Sequence, residues 1–314
     1  MSKNKQEAVV QGAPTTTTKR VSRRAAGQYA VAFRRFRRNK AGLAGLAIVG
    51  FFFFLMIFGY FFAPYPVRSI QCLYEGCSNL PPFANWAHPF GTEPSGTDVY
   101  SEILHGTPND LFVGVVATGI SVVIGLLVGS IAGYVRGASG ALLLGVTQVF
   151  LTLPVLVIII LFARVFVLQV ALGFGLVLIT LILGLFGWPT IALVARGEIL
   201  RIRELEFVQA ARALGASNSR ILFRHIVPNM LSPIIVISSL LVAGNILTEV
   251  VISFLGFGDP NTSTWGLLLQ EGFIYMRQSW WVDLFPGLAV VFCVLGFNLL
   301  GDGLSDALNP RLRE

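Results

Sequence analysis

An all-α membrane protein with about six transmembrane helices is the fold class this sequence predicts, on three observations. First, 54% of the 314 residues are hydrophobic and only 12% are charged, about half the charge of an ordinary soluble domain. Such a chain cannot cover its apolar surface with polar groups, so lipid must act as part of its solvent. Second, apolar runs at 42–63, 111–134, 141–163, 171–195, 231–255 and 284–303 each approach or exceed the roughly 20 residues that a spanning helix needs. Third, Lys and Arg crowd onto alternate connecting segments, as the positive-inside rule requires.

The elements follow in order. Residues 1–40 are a cytoplasmic tail holding 11 of the 23 basic residues. Its first 30 residues are polar, with a Thr run at 15–18, and are expected to be disordered. The apolar run after Lys40 is long and no small-residue cleavage site closes it. It therefore reads as a retained first transmembrane helix, 41–63, and not as a secretory signal. Segment 64–110 is the single long extracytoplasmic loop, rich in Pro, Gly and Asn. A small lobe is expected there, with a short amphipathic helix near 97–106. Cys72 and Cys77 lie in it with four residues between them. An oxidising compartment would close them into a disulfide, and two free thiols fit the sequence equally well. Zinc needs more ligands than these two, and none lies at suitable spacing, so no metal site is predicted.

The other five spans form a core, 111–304, interrupted by a cytoplasmic loop at 196–230 and followed by a cytoplasmic tail, 305–314. Gly125, Gly129 and Gly133 put a smooth stripe on the second span, which points to close helix packing and not to pore lining. The third and fourth spans are separated only by a short piece around Arg164, which implies a tight hairpin. Pro154 and Pro189 fall inside spans, where a missing donor kinks a helix that bundled neighbours tolerate. Cys293 reads as a small buried hydrophobe. With the N-terminus inside, 20 of the 23 basic residues are cytoplasmic and only Arg68, Arg164 and Arg277 lie outside. This asymmetry accounts for the net charge of +7 without nucleic acid; some of the basic residues would face anionic lipid.

Enzymatic chemistry is not expected. There is no G-x-x-x-x-G-K-[ST] loop to cradle ATP phosphates, so ATP-driven work must come from a partner chain. H-E-x-x-H is missing too. Gly137-Ala138-Ser139-Gly140 resembles the serine motif of rhomboid proteases, but none of His88, His105 and His225 lies in a span, and a nucleophile without a base is inert. Within the spans Glu249 lies near an outer end and Asp302 near an inner end. Two isolated carboxylates do not make the ion relay that a secondary transporter or channel needs. Glu249 either lines a water-filled cavity or reaches the outer headgroups and pairs locally. With Asn245 and Asn298 it marks the candidate translocation or gate region.

The informative stretch is Glu206-Phe207-Val208-Gln209-Ala210-Ala211-Arg212-Ala213-Leu214-Gly215-Ala216-Ser217. Residues 204–214 are good helix formers, and Gly215 can take the left-handed conformation that ends a helix. Ser217 can cap a second helix through Ile221, Leu222 and Ile226. Pro228 falls near the end of that helix or at a kink into the fifth span. The expectation is a short helix, a sharp turn and a second helix at the membrane surface. Ala210, Ala211 and Leu214 make a small apolar face that either inserts into a groove on another protein or packs on its own bundle.

This stretch resembles the EAA loop of permeases in bacterial and archaeal ABC importers. Ala210, Ala211, Gly215 and Pro228 match the family pattern. Gln209 replaces its Glu, and His225 and Val227 replace Ile and Leu, the form seen in dipeptide and oligopeptide permeases. Phe36-Arg37-Arg38-Asn39-Lys40-Ala41-Gly42-Leu43 looks like the N-terminal signature of the C-type peptide permease. His88-Pro89-Phe90-Gly91-Thr92-Glu93 looks like its outer-loop motif. Ser253-Phe254-Leu255-Gly256-Phe257-Gly258, Trp280-Trp281, Phe285-Pro286-Gly287-Leu288-Ala289 and Phe297-Asn298-Leu299-Leu300-Gly301-Asp302-Gly303-Leu304 are similar to later motifs, as is Asp306-Ala307-Leu308-Asn309-Pro310-Arg311. The chain departs from the pattern at Thr97 and Glu102, where the family usually has Arg.

The resemblance implies a type I ABC importer permease-like bundle in the inner (cytoplasmic) membrane, with both termini cytoplasmic. It implies four kinds of neighbour: a second, B-type permease subunit; two cytoplasmic ATPase subunits; an extracytoplasmic substrate-binding protein; and membrane lipid. The loop would be the ATPase-coupling helix. ATP and Mg would sit on the ATPase subunits, and this chain would bind no cofactor. Di- or oligopeptide is the substrate class implied first, ahead of nickel chelates and oligosaccharides.

Overall fold

The computed structural model describes residues 30–135, 137–165 and 173–308. Several expectations lie outside them: the disordered start of the tail, Arg136, the turn that follows Arg164, and the Asn309-Pro310-Arg311 ending with Arg313. The described residues form a helical bundle. Their one β contact is an isolated antiparallel bridge between Thr92 and Asp98.

After a helical stretch at 30–36, α1 runs over Lys40–Phe62. Asn39 caps it, its Oδ1 accepting from Gly42 N at 2.9 Å, which satisfies one of the donors a helix start leaves free. The Asn39 amide also donates to Asp306 Oδ2 at 2.9 Å, tying the start of the first span to the end of the last. The lobe between α1 and the next span, residues 64–98, contains only the short α2, Gln71–Glu75.

Helix α3 covers Val99–Tyr134. The separate amphipathic helix expected near 97–106 does not exist, because those residues are the first turns of this single helix. Asp98 caps it and its early turns are buried, so no boundary forms before the span. Pro108 is accommodated inside it.

The third span is a bent pair, α4 (Ala138–Thr152) and α5 (Val155–Val165). The pair bends by 73° at the break, beside Pro154, as the missing donor of a proline dictates. Five helices are long and apolar enough to cross a membrane, or six if this pair is one span. Helix α6, Gly175–Ile202, passes through Pro189 without interruption.

The loop contributes α7, Glu206–Ala213, and α8, Asn218–Ile221. A π-type turn, Leu222–Ile226, carries α8 into α9, Val227–Ile252. The second loop helix is thus the start of the fifth span and does not lie separately at the surface. Pro228 sits in the first turn of α9, where its lack of an N–H costs little, and the Asn229 amide donates to His225 O at 2.7 Å. After α9 the chain turns at Gly256, φ +83°, enters α10 (Trp265–Phe273) and ends in α11 (Trp281–Leu308).

Small residues set the packing. A Cβ on Gly125, Gly129 or Gly133 would press into Ile191, Ala192 and Arg196 of α6. The stripe is therefore a helix–helix seam, and close approach of backbones is what it supplies. Gly45 meets Gly296 and Leu300 of α11 in the same way. The main apolar core gathers Phe52, Leu111, Ile246, Trp265, Cys293 and Phe297. Large apolar side chains such as Phe61, Leu127 and Leu142 remain exposed along the spans, as expected for a surface that meets lipid or neighbouring subunits.

Candidate functional site

The residues singled out in the sequence separate to opposite ends of the bundle. At one end is the loop after α6. Leu214 closes α7, and Gly215 follows at φ +80°. Gly215 N donates to Arg212 O at 3.0 Å and Ala216 N to Ala211 O at 3.1 Å, the paired bonds of a Schellman end. Nothing lies within 4 Å of the place a Cβ would take on Gly215, so backbone conformation alone demands glycine there. Ser217 occupies the cap position of α8, but its side chain makes no capping bond. Its hydroxyl lies 3.4 Å from Ser219 Oγ instead, so the expected side-chain cap is absent.

Helix α7 is fastened by one apolar side chain. Val208 is fully buried and packs with Ile199, Ile202, Ile221 and Ile226. The His225 ring lies 6.4 Å from that of Phe207, bracing α7 against the turn into α9. Gln209 Nε2 donates to Glu204 O at 3.1 Å. Glu206, Ala210, Ser217 and Pro228 are exposed, Ala211 is half-buried, and Leu214 is 89% exposed. The small apolar face thus points away from its own bundle. Tyr134 Oη donates to Asn218 Oδ1 at 2.8 Å and Arg203 Nη1 to Gly133 O at 3.2 Å. These bonds join the loop to the end of α3.

At the other end Glu249 is completely buried. Its side chain is closed off within the chain and pairs locally. Its Oε1 accepts from Ser253 Oγ at 2.6 Å, and the equally buried carboxyl of Asp110 lies close by. Asp110 Oδ2 accepts from Trp265 N at 3.0 Å. The two buried carboxyls thus bring α3 and α9 together. Asp110 was read as the end of the outer loop; no local pattern links it to a residue so far along the chain. Asn245, also buried, donates to Thr118 Oγ1 at 3.0 Å, again bridging α9 and α3. Asn298 is half-buried on α11 and is not part of the Glu249 network.

The 64–98 lobe is cross-braced. Cys72 and Cys77 are joined as a disulfide. Glu102, where the resembling family has Arg, accepts from Arg68 N and, at 2.7 Å, from Ser263 Oγ. Arg68 itself donates to Pro260 O at 2.7 Å and pairs with Glu271. Thr97 is buried against Ser95, with 3.1 Å between their hydroxyls. Asp259 Oδ2 accepts from Gly175 N at 2.9 Å, capping α6 from a distant loop. Burial pushes the Glu93 carboxyl up to about 7.

A bundle of apolar spans with one braced polar end and one protruding capped helix defines a membrane permease subunit. The chain belongs to the family described as the binding-protein-dependent transport system inner membrane component, whose model matches residues 125–314. Residues 27–82 match the N-terminal transmembrane domain of oligopeptide transport permease C. The chain is 37% identical over 285 residues to the dipeptide transport system permease protein DppC of Bacillus subtilis, covering 90% of this chain and 86% of that protein. It is 33% identical over 296 residues to the oligopeptide transport system permease protein OppC of the same organism, covering 94% and 93%. It is also 33% identical over 283 residues to the glutathione transport system permease protein GsiD of Pectobacterium atrosepticum, covering 90% and 91%. The chain is accordingly a multi-pass inner-membrane component of an ABC importer.

Proposed function

We propose that this chain forms half of a translocation pathway for di- or oligopeptides, with a second permease subunit forming the other half. An extracytoplasmic binding protein would deliver the peptide at the braced end. Two cytoplasmic ATPase subunits would dock at the loop end, which places both termini in the cytoplasm, in keeping with the basic-residue asymmetry. On this reading transport asks for no nucleophile in this chain, and ATP and Mg would act on the ATPase subunits. Peptide as the class of cargo is supported by the names of the dipeptide and oligopeptide relatives.

The observation that carries the coupling role is the exposed Ala210–Leu214 face on a helix whose other side is pinned by Val208. A push on that face moves the α6–α9 junction through the Val208, Ile221 and Ile226 contacts. Transport then needs two packings of similar energy with different contacts in each. The Asp110–Glu249 pair does not favour an ion-driven alternative. Among the described residues the buried carboxylates all lie in the outer half, with none continuing toward the loop end.

The test is Gly215→Val in the assembled importer. A β-branched residue at φ +80° strains the turn by about 1–2 kcal/mol and misaims α7. Peptide uptake should fall at least tenfold, with ATPase-subunit binding weakened. Normal uptake and normal assembly together would refute the lever.

A further inference from the structure

His88 is held in the 64–98 lobe in a way the disulfide alone does not explain. Its Nδ1 lies 2.9 Å from Asp98 Oδ1, with both side chains buried. An ionised carboxylate only accepts, so Nδ1 carries a proton, and in the neutral ring Nε2 then holds the free lone pair. That lone pair points at Cys72 Sγ, 3.2 Å away. In the disulfide this sulfur has no hydrogen. Among the described residues the Tyr65 hydroxyl also approaches Nε2, at 3.3 Å. The ligand atoms of Cys72, Cys77 and His88 all lie within 4.8 Å of one another.

We propose that Cys72, Cys77 and His88 form a metal site that alternates with the disulfide. Once the cysteines are reduced, two thiolates and His88 Nε2 take up a thiophilic divalent cation of the Zn2+ class. Three N/S ligands with a fourth position open to solvent or Tyr65 is a recognised zinc arrangement. Thiolates select against hard cations such as Mg2+ and Ca2+, which require oxygen ligands. Asp98 is the outer-shell carboxylate that fixes the tautomer and direction of a ligating imidazole.

The site survives loss of the S–S bond because other bonds hold its loop. Cys77 N donates to Cys72 O at 3.0 Å, and Thr92 Oγ1 to Cys77 O at 2.6 Å. Opening needs an external dithiol. Its two sulfurs form a new disulfide, and Cys72 and Cys77 receive two electrons and two protons. The cation then displaces the two thiol protons. Asp98 also accepts from Ser101 N at 2.8 Å at the start of α3, so occupancy is felt at a helix that runs to the other end of the bundle.

The experiment uses the assembled importer in detergent with Cys293→Ala, leaving two cysteines in this chain. After reduction and removal of reductant, Co2+ is titrated in without oxygen. One equivalent per chain, a thiolate-to-cobalt charge-transfer band, and displacement by Zn2+ are expected, whereas the unreduced importer gives no band. His88→Ala should abolish tight uptake, and Asp98→Asn should weaken it about 10–100-fold. Non-reducing peptide mapping that recovers the Cys72–Cys77 link in both variants shows that their lobe still closes. A reduced importer that gives no band overturns the proposal without recourse to any variant. A band unchanged in His88→Ala overturns it equally, since two thiolates alone would then suffice.

Discussion

The two ends of the bundle are built by different means. The lobe end is locked by polar bonds between residues far apart in sequence. Arg68 reaches Pro260, Glu102 reaches Ser263, Trp281 Nε1 donates to Thr92 O at 3.2 Å, and Asp259 caps α6. The loop end is held mainly by apolar packing of Val208, Ile221 and Ile226, with few bonds reaching beyond the loop. Hydrogen bonds are directional and define one geometry. Apolar contacts tolerate sliding, since the hydrophobic effect is non-directional. An end that must keep its shape suits the first kind of fastening, and an end that must pass on a displacement suits the second.

The contrast can be broken at its strongest point. Trp265 is fully buried and its Nε1 donates to Ile103 O at 3.2 Å. Trp265→Ala should cost about 3–5 kcal/mol and loosen the lobe end as a unit, seen as faster amide exchange in the lobe and unchanged exchange in α7. Loss of protection spread equally to both ends would erase the distinction.

The next effect is pH-dependent. Glu93 is raised from 4.5 to about 7 by burial, so the folded lobe binds more protons than the unfolded chain between those values. The contribution of Glu93 to stability is therefore constant below about 4.5, falls as pH rises through the window, and levels off above about 7, a loss on the order of 3 kcal/mol. Lobe opening measured by exchange should show this slope in the native chain and lose it in Glu93→Gln.

At the loop end, Val208→Ala should cost about 2 kcal/mol and uncouple ATP hydrolysis from uptake, while the lobe keeps its protection. The smallest effect on stability belongs to Leu214→Asp. The side chain is 89% exposed, so folding should change by no more than about 0.5 kcal/mol, while ATPase-subunit binding in a pull-down is lost. Retained binding would detach that face from docking.

Much of this architecture was legible from the chain in order. Hydropathy marked the spans, Pro154 the bend, the glycine stripe a seam, and Gly215 the end of α7. Each is a property of residues within one or two helical turns of one another, where covalent geometry and solvent preference already decide the outcome. The continuous α3, the Asp110–Glu249 pair, the capping of α6 by Asp259 and the approach of His88 to the cysteines were not legible. Asp110 and Glu249 are separated by most of the core, and His88 meets Cys72 only because Asp98, at the start of α3, holds the ring. Such partnerships depend on which helices pack together and at what height. Burial favours a partner for most polar groups, and only the packed bundle determines which one is within reach.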